Sequence, residues 1–356
     1  MLFAYLSHYF LDLIAFCVFV SILLSLIKGR YNGHSDSLKF ERGAENKILQ
    51  QPAMSSTSTA GTRPIFFGNG DGGFSLKELL HSTSKVSWKG TFGTSFKTEL
   101  KGGNVVLVRR LKGSGLSEIE FRERVQEIGT RLHENLLPLR AYCCHQNERY
   151  LLYDYMQMGS LAKLLHGHKT ADNTPLTWEV RCRIVYGVAR AILYLHTIGS
   201  NICHGNIKSS NVLLTDSLDA HLSEFGLARL VSPDYKPNLV GGYRAPEARN
   251  AQEVSQASDV YSFGVLLLEL LTGNAPIGAI TTTTGVDLPK WVRKMFREKP
   301  IIDVFDKELL LRHQDHREQM VQLLELAVCC TFQHPNRRPL MAAVLNRIRD
   351  TCRLES

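Results

Sequence analysis

Residues able to do chemistry fall in a few short stretches of this chain. Gly90 and Gly93 lie in the run GTFGTS, between two strand-like segments. Arg109 lies in VVLVRR; Asn206, Lys208 and Asn211 share HGNIKSSN; Glu224 stands in SEFG. Glycines let a backbone approach a phosphate closely. A nearby cation can hold that phosphate, and a carboxylate can hold Mg²⁺. Taken singly, each run is weak: a glycine pair usually marks an ordinary turn. Cys143, Cys144 and His145 offer metal-ligand atoms, but no second ligand pair has suitable spacing, so they read as a core strand ending in a loop. Cys329 and Cys330 lie in an apolar helical stretch and read as core.

The elements that must position these residues change character along the chain. Residues 86–111 carry short β-like runs around glycines, with VVLVRRL the clearest strand. A helical stretch, EIEFRERVQEIGTRL, follows, and then strand-like LLPLRAYCC and RYLLYDYM. Beyond Gly159 the pattern is mostly helical. TWEVRCRIVYGVARAILYLH has i, i+3/i+4 apolar spacing, and SDVYSFGVLLLELLTG is nearly all apolar, as a central helix would be. A small strand-rich lobe thus precedes a larger helical one.

The 356 residues allow one bilobal domain or two smaller ones, and 44% hydrophobic with 21% charged residues excludes a disordered or fibrous chain. The formal charge of +8 is spread along the sequence, which argues against nucleic-acid binding. The eight cysteines include two adjacent pairs and no CxxC, which fits a reducing compartment better than a disulfide scaffold. Residues 9–27 read YFLDLIAFCVFVSILLSLI, with Asp12 the single charge. That length and apolarity suit a membrane-spanning helix rather than a cleaved signal peptide. Lys28 and Arg30 follow at once, which places residues 1–8 outside and the remainder in the cytosol. Residues 28–73 are rich in Ser, Thr and Gly without a sustained period and read as a disordered juxtamembrane linker.

The motifs arrive in a fixed order: GTFGTS, VVLVRR, HGNIKSSN, SEFG, YRAPE (243–247), SDVYSFG (258–264) and RRP (337–339). This series resembles the eukaryotic protein-kinase domain over about Phe74 to Arg349. FSLKELL, LLYDYMQMGSL, HGNIKSSNVLL, GYRAPE and DVYSFGVLLLELLTG look most like plant receptor-like kinases of the leucine-rich-repeat class. The resemblance implies an α+β, bilobal protein-kinase-like fold over 74–350. A β-rich N-lobe would span 74–154 and a helical C-lobe 155–350, preceded by the one transmembrane helix. It also implies that Glu247 pairs with Arg338 and that Asp259 braces the catalytic loop. Gly90, Gly93, Leu107, Arg109, Asp154 and Met156 would line an ATP cleft, and Asn211 and Glu224 would hold metal.

The family's chemical residues are altered in this sequence. The first glycine of G-x-G-x-x-G falls on Trp88, which crowds the phosphates. The roofing Ala becomes Leu107 and the phosphate-holding Lys becomes Arg109, a planar fork in place of a point charge. The Glu that should pair with that Lys falls on Arg124, which would set two cations face to face; Glu127 is the alternative partner for Arg109. The catalytic base becomes Asn206, whose amide cannot accept a hydroxyl proton. The metal-binding Asp becomes Glu224, with oxygens displaced by about 1 Å. Lys208 and Asn211 are kept. A Thr that would bridge base and lysine becomes Val240. Tyr153, between cleft and hinge, reads as packing. Ser232 and Tyr235 lie in the activation segment and could accept phosphate from another kinase, a signal hardly better than any exposed Ser or Tyr would give.

These departures point to a membrane-anchored pseudokinase at the inner face of the plasma membrane. It would act by binding active receptor-like kinases, co-receptors or other signalling proteins, with one helix in the lipid and no cofactor required. Two alternatives stay open. One is a weak or atypical Ser/Thr kinase using Arg109 and Glu224 with ATP and Mg²⁺. The other is a switch that binds ATP without transferring phosphate.

Overall fold

Short runs rich in Val, Leu and Tyr make the small lobe a sheet. In the computed structural model, residues 64–67, 83–100, 103–113, 115–145, 147–167, 176–232, 235, 241–248, 253–277 and 286–354 are described. They fall within one compact unit, Thr57–Ser356. Strands β1 (Ile65–Phe66), β2 (Thr83–Lys89), β3 (Gly93–Glu99), β4 (Val105–Leu111), β5 (Leu139–His145) and β6 (Glu148–Asp154) pair in the order β1-β5-β6-β4-β3-β2. The antiparallel register sets Ser95 opposite Arg109, and Leu107 between Lys97 and Tyr153. Helix α1 (Glu118–Gly129) packs on this sheet through Phe121, Val125 and Ile128. Its start is fixed by a capping box in which the Ser117 hydroxyl accepts from the Glu120 N–H and Glu120 accepts from the Ser117 N–H.

The large lobe is built around two long helices. After α2 (Leu161–His166), helix α3 (Trp178–Ile198) buries Ile184, Ile192 and Leu195. Strands β7 (Val212–Leu214) and β8 (Ala220–Leu222) form a small hairpin beside it. Helix α4 (Gln256–Thr272) is buried from Ser258 to Thr272 apart from Ser262. It begins at a Ser255–Ser258 capping box and ends on Gly273 at φ 69°, a left-handed turn that glycine adopts without strain. Helices α5 (Leu288–Glu298), α6 (Lys307–Arg312), α7 (Arg317–Cys330) and α8 (Met341–Cys352) close the core around it. Phe263 is wholly buried there, and its truncation to Ala would cost about 3–5 kcal/mol.

The strand and helix expectations hold in kind and order, and Cys143, Cys144 and Cys330 are buried as core. One boundary needs correction. Ile65 and Phe66 fall inside the expected linker, yet they form β1 and pair with Tyr142 and Ala141. Two adjacent apolar residues are too short a signal to separate a strand from a linker. The expected span 9–27 lies outside the described residues, as do Val240 and the linker apart from residues 64–67. Among the described residues no helix is long and apolar enough to cross a membrane.

Candidate functional site

Helix α4 sets the loop His204–Asn211 from both ends. Asp259 accepts from the backbone N–H groups of His204 (2.7 Å) and Gly205 (2.8 Å) and faces His196 Nε2 at 3.0 Å. Ten residues on, Glu269 accepts from Ser209 Oγ at 2.8 Å and also holds the Tyr243 hydroxyl and His166. Asp259 was legible from the motifs. Glu269 was not singled out, although a carboxylate inside the apolar run Val265–Leu271 is a usable signal, because a buried charge needs partners. The His204 ring donates from Nε2 to the Ser223 carbonyl (3.0 Å) and accepts at Nδ1 from the Asn206 N–H (3.2 Å). Burial lowers its pKa, so the ring is neutral.

The altered residues converge on Glu224. Its Oε1 accepts from Arg109 Nη1, and its Oε2 accepts from Asn206 Nδ2 at 2.5 Å and Asn211 Nδ2 at 3.3 Å. Asn211 Nδ2 also donates to the Asn206 carbonyl at 2.8 Å. All four side chains are buried. Burial by itself would raise the Glu224 pKa, but Arg109 and Lys208 outweigh it and hold the carboxyl below its usual value. The Glu224 backbone sits at φ 71°, a left-handed conformation that costs a non-glycine residue about 1 kcal/mol or more. The surrounding hydrogen bonds fix it there.

The glycine-rich turn rests on this ion pair. A Cβ at Gly90 would lie 3.2 Å from Arg109 Nη1 and 3.3 Å from Glu224 Oε1. Lys208 Nζ donates to Thr91 Oγ1 at 2.7 Å, and the Tyr235 hydroxyl donates to the Thr91 carbonyl at 3.3 Å. Phe92 is fully buried in the small-lobe core. Roof and floor of the cleft are therefore in contact. Gly93 has a different purpose: a Cβ there would stand 2.1 Å from the Arg110 carbonyl, so it serves the approach of β3 to β4. Trp88 is 44% exposed.

Other expected site residues fall elsewhere. Arg124 does not face Arg109; its Nη1 donates to the Arg229 carbonyl at 2.8 Å. Glu127 does not rescue Arg109 either, because both its oxygens accept from Arg229 at 2.9 and 2.7 Å. The carboxylate of Asp154 is engaged by Arg140 at 2.9 and 2.5 Å. Leu107 and Met156 pack against the cluster containing Tyr153, whose hydroxyl pKa is raised by burial. Ser232 and Tyr235 are half-buried. Glu247 and Arg338 form the expected bidentate pair at 2.5 and 2.8 Å.

The scaffold of the site is shared with known proteins. The family model for protein tyrosine and serine/threonine kinases matches residues 82–348. A probable inactive receptor kinase of Arabidopsis thaliana is 48% identical over 83% of this chain and 45% of its own length. A second, the probable inactive receptor kinase RLK902 of the same plant, is 46% identical over 84% of this chain and 46% of its own. The chain thus spans about half the length of the curated relatives it matches. The solved pseudokinase domain of BIR2, described as an immune regulator of the RLK/Pelle family, superposes with a TM-score of 0.69 at 30% identity, covering 83% of this chain and 91% of that one. With motif order, bilobal architecture and these matches in agreement, the chain belongs to the protein tyrosine and serine/threonine kinase family, in its receptor-like kinase group.

Proposed function

We propose that this chain is a membrane-anchored receptor-like pseudokinase that acts by binding active receptor kinases or co-receptors rather than by transferring phosphate. One observation carries the reading: the Glu224 carboxylate is committed on both oxygens to Arg109, Asn206 and Asn211, beneath Gly90. The residues present do not fit Mg²⁺-nucleotide in this arrangement. Mg²⁺ needs near-octahedral oxygen ligands, and the one acidic ligand is already neutralised by a guanidinium. Lys208, the remaining cation, is turned to Thr91. No general base stands at Asn206, since an amide does not take a proton.

The names of the relatives support a non-catalytic role, and BIR2, described as an immune regulator, supports a regulatory one. The anchoring segment would be residues 9–27, with the kinase-like domain in the cytosol and one helix in lipid. A radiolabelled phosphate-transfer assay on the full chain with ATP, Mg²⁺ and Mn²⁺ tests the reading. The expected result is no product above background. Product that disappears in Lys208→Ala establishes the kinase alternative instead.

A further inference from the structure

Glu179, His313 and His316 bring their donor atoms together far from the cleft's own residues in sequence. Glu179 opens the first turn of α3. His313 caps the end of α6, and His316 ends the short 3₁₀ turn Gln314–His316 that leads into α7. His316 Nε2 lies 3.3 Å from Glu179 Oε1, and His313 Nδ1 lies 3.8 Å from the same oxygen. All three donor atoms lie within 4.8 Å of one another. Zinc bonds of roughly 2.0–2.2 Å in a tetrahedron put neighbouring donors about 3.3–3.5 Å apart. The two measured separations fall at or near that edge length.

We propose that these residues form a Zn²⁺ site of two imidazoles and one carboxylate, with water in the fourth position. The donor set suits Zn²⁺ and excludes Mg²⁺ and Ca²⁺, which take oxygen ligands. His316 is already oriented for ligation. Its Nδ1 faces Gln319 Oε1 at 2.5 Å, which leaves the Nε2 lone pair for the metal, and its ring stacks on Trp178 at a 6.1 Å centroid distance. His313 must give up a long bond, since its Nε2 accepts from the Trp178 N–H at 3.3 Å. The frame beneath is braced. Arg181 on α3 donates to Asp306, the N-cap of α6, at 2.7 Å, and to the Leu176 and Leu270 carbonyls. Glu179 is 59% exposed in its side chain, and the remaining edge, between the two imidazole nitrogens and within 4.8 Å, must close by about 1.5 Å at most through rotation of the rings. The bound metal would clamp the start of α3 to the α6–α7 turn. The inference does not depend on whether the cleft binds nucleotide.

Titration of the full chain in detergent with ZnCl₂ against a chromophoric chelator, and with CoCl₂ by absorption spectroscopy, tests it. One equivalent should bind. Saturation should raise Tm by about 5 °C. Co²⁺ should give visible d–d bands without the near-ultraviolet charge-transfer band of a thiolate ligand. Glu179→Gln and His316→Ala should each weaken affinity by about 10-fold or more. No binding, a thiolate band, or affinity unchanged in both variants overturns the proposal.

Discussion

The guanidinium of Arg109 on β4 lies on the carboxylate of Glu224, 115 residues away, and both are buried. This pair replaces the interactions that a lysine and an aspartate would make separately. Each substitution lengthens the side chain, and together they span the cleft. The pair links the two lobes and places a neutralised carboxylate where a metal ligand would stand.

Breaking one side of that pair strands the other in the interior. Arg109→Met leaves Glu224 with Asn206, Asn211 and the more distant Lys208 charge. Denaturant unfolding should show a loss of about 3–5 kcal/mol. The double variant Arg109→Met, Glu224→Met should lose clearly less than the sum of the two singles. Additive losses would show that the two side chains are not coupled.

Restoring the family's base should harm rather than help. Asn206→Asp sets a second carboxylate 2.5 Å from Glu224 Oε2 in place of a donor. Like charges at that distance cannot both ionise freely. We expect a stability loss of about 2 kcal/mol at pH 7 that shrinks at lower pH as one proton is shared, with no phosphate transfer. Robust transfer by this single variant would show that one residue limits activity.

Stability should depend on pH through Glu224 and His204 in separable windows. The folded Glu224 pKa is lowered, the net of opposing burial and the stronger pull of Arg109 and Lys208. Its contribution is therefore present above the unfolded value of about 4.3 and is lost as pH falls through the folded value. The difference between the native chain and Glu224→Gln should shrink below about pH 4. Burial lowers the His204 pKa. Below about pH 6.5 the unfolded chain gains a proton that the folded ring refuses, so stability falls as pH drops. His204→Asn should flatten the slope that sets in below about pH 6.5. An unchanged slope there would remove His204 from the account.

The two glycines of the turn should respond differently to alanine. Gly93→Ala drives a methyl to 2.1 Å from a backbone carbonyl and should cost about 3 kcal/mol or prevent folding. At Gly90 the neighbours are side-chain tips at 3.2 and 3.3 Å, which can yield by a few tenths of an ångström. The cost there should be about 1 kcal/mol or less. Equal costs in urea unfolding would contradict the assignment of Gly93 to sheet packing and Gly90 to the ion pair.

Much of the frame was legible because it repeats a short local rule. Short strand-like runs gave β4, β5 and β6, the i, i+3/i+4 apolar spacing gave α3, a nearly continuous apolar run gave α4, and fixed motifs gave Asp259, Glu247 and Arg338. The site was legible residue by residue but not in its pairing. Arg109 and Glu224 were each read against the residue they replace, and nothing local says that two lengthened side chains meet across 115 positions. Arg124 and Glu127 were set against Arg109 because a helix register is uncertain by a residue or two. In the fold, α1 turns both toward Arg229. The contact of Lys208 with Thr91, and of Tyr235 with the same turn, depends on how far the lobes close, which is a tertiary property.

Thermal-shift titration of the full chain with ATP and either Mg²⁺ or Mn²⁺ tests the closed cleft most directly, because any ligand that binds only the folded state raises Tm by mass action. The account predicts no saturable shift up to about 100 times the dissociation constant of an ordinary micromolar nucleotide site. A saturable, metal-dependent rise in Tm, abolished by Lys208→Ala, would contradict it.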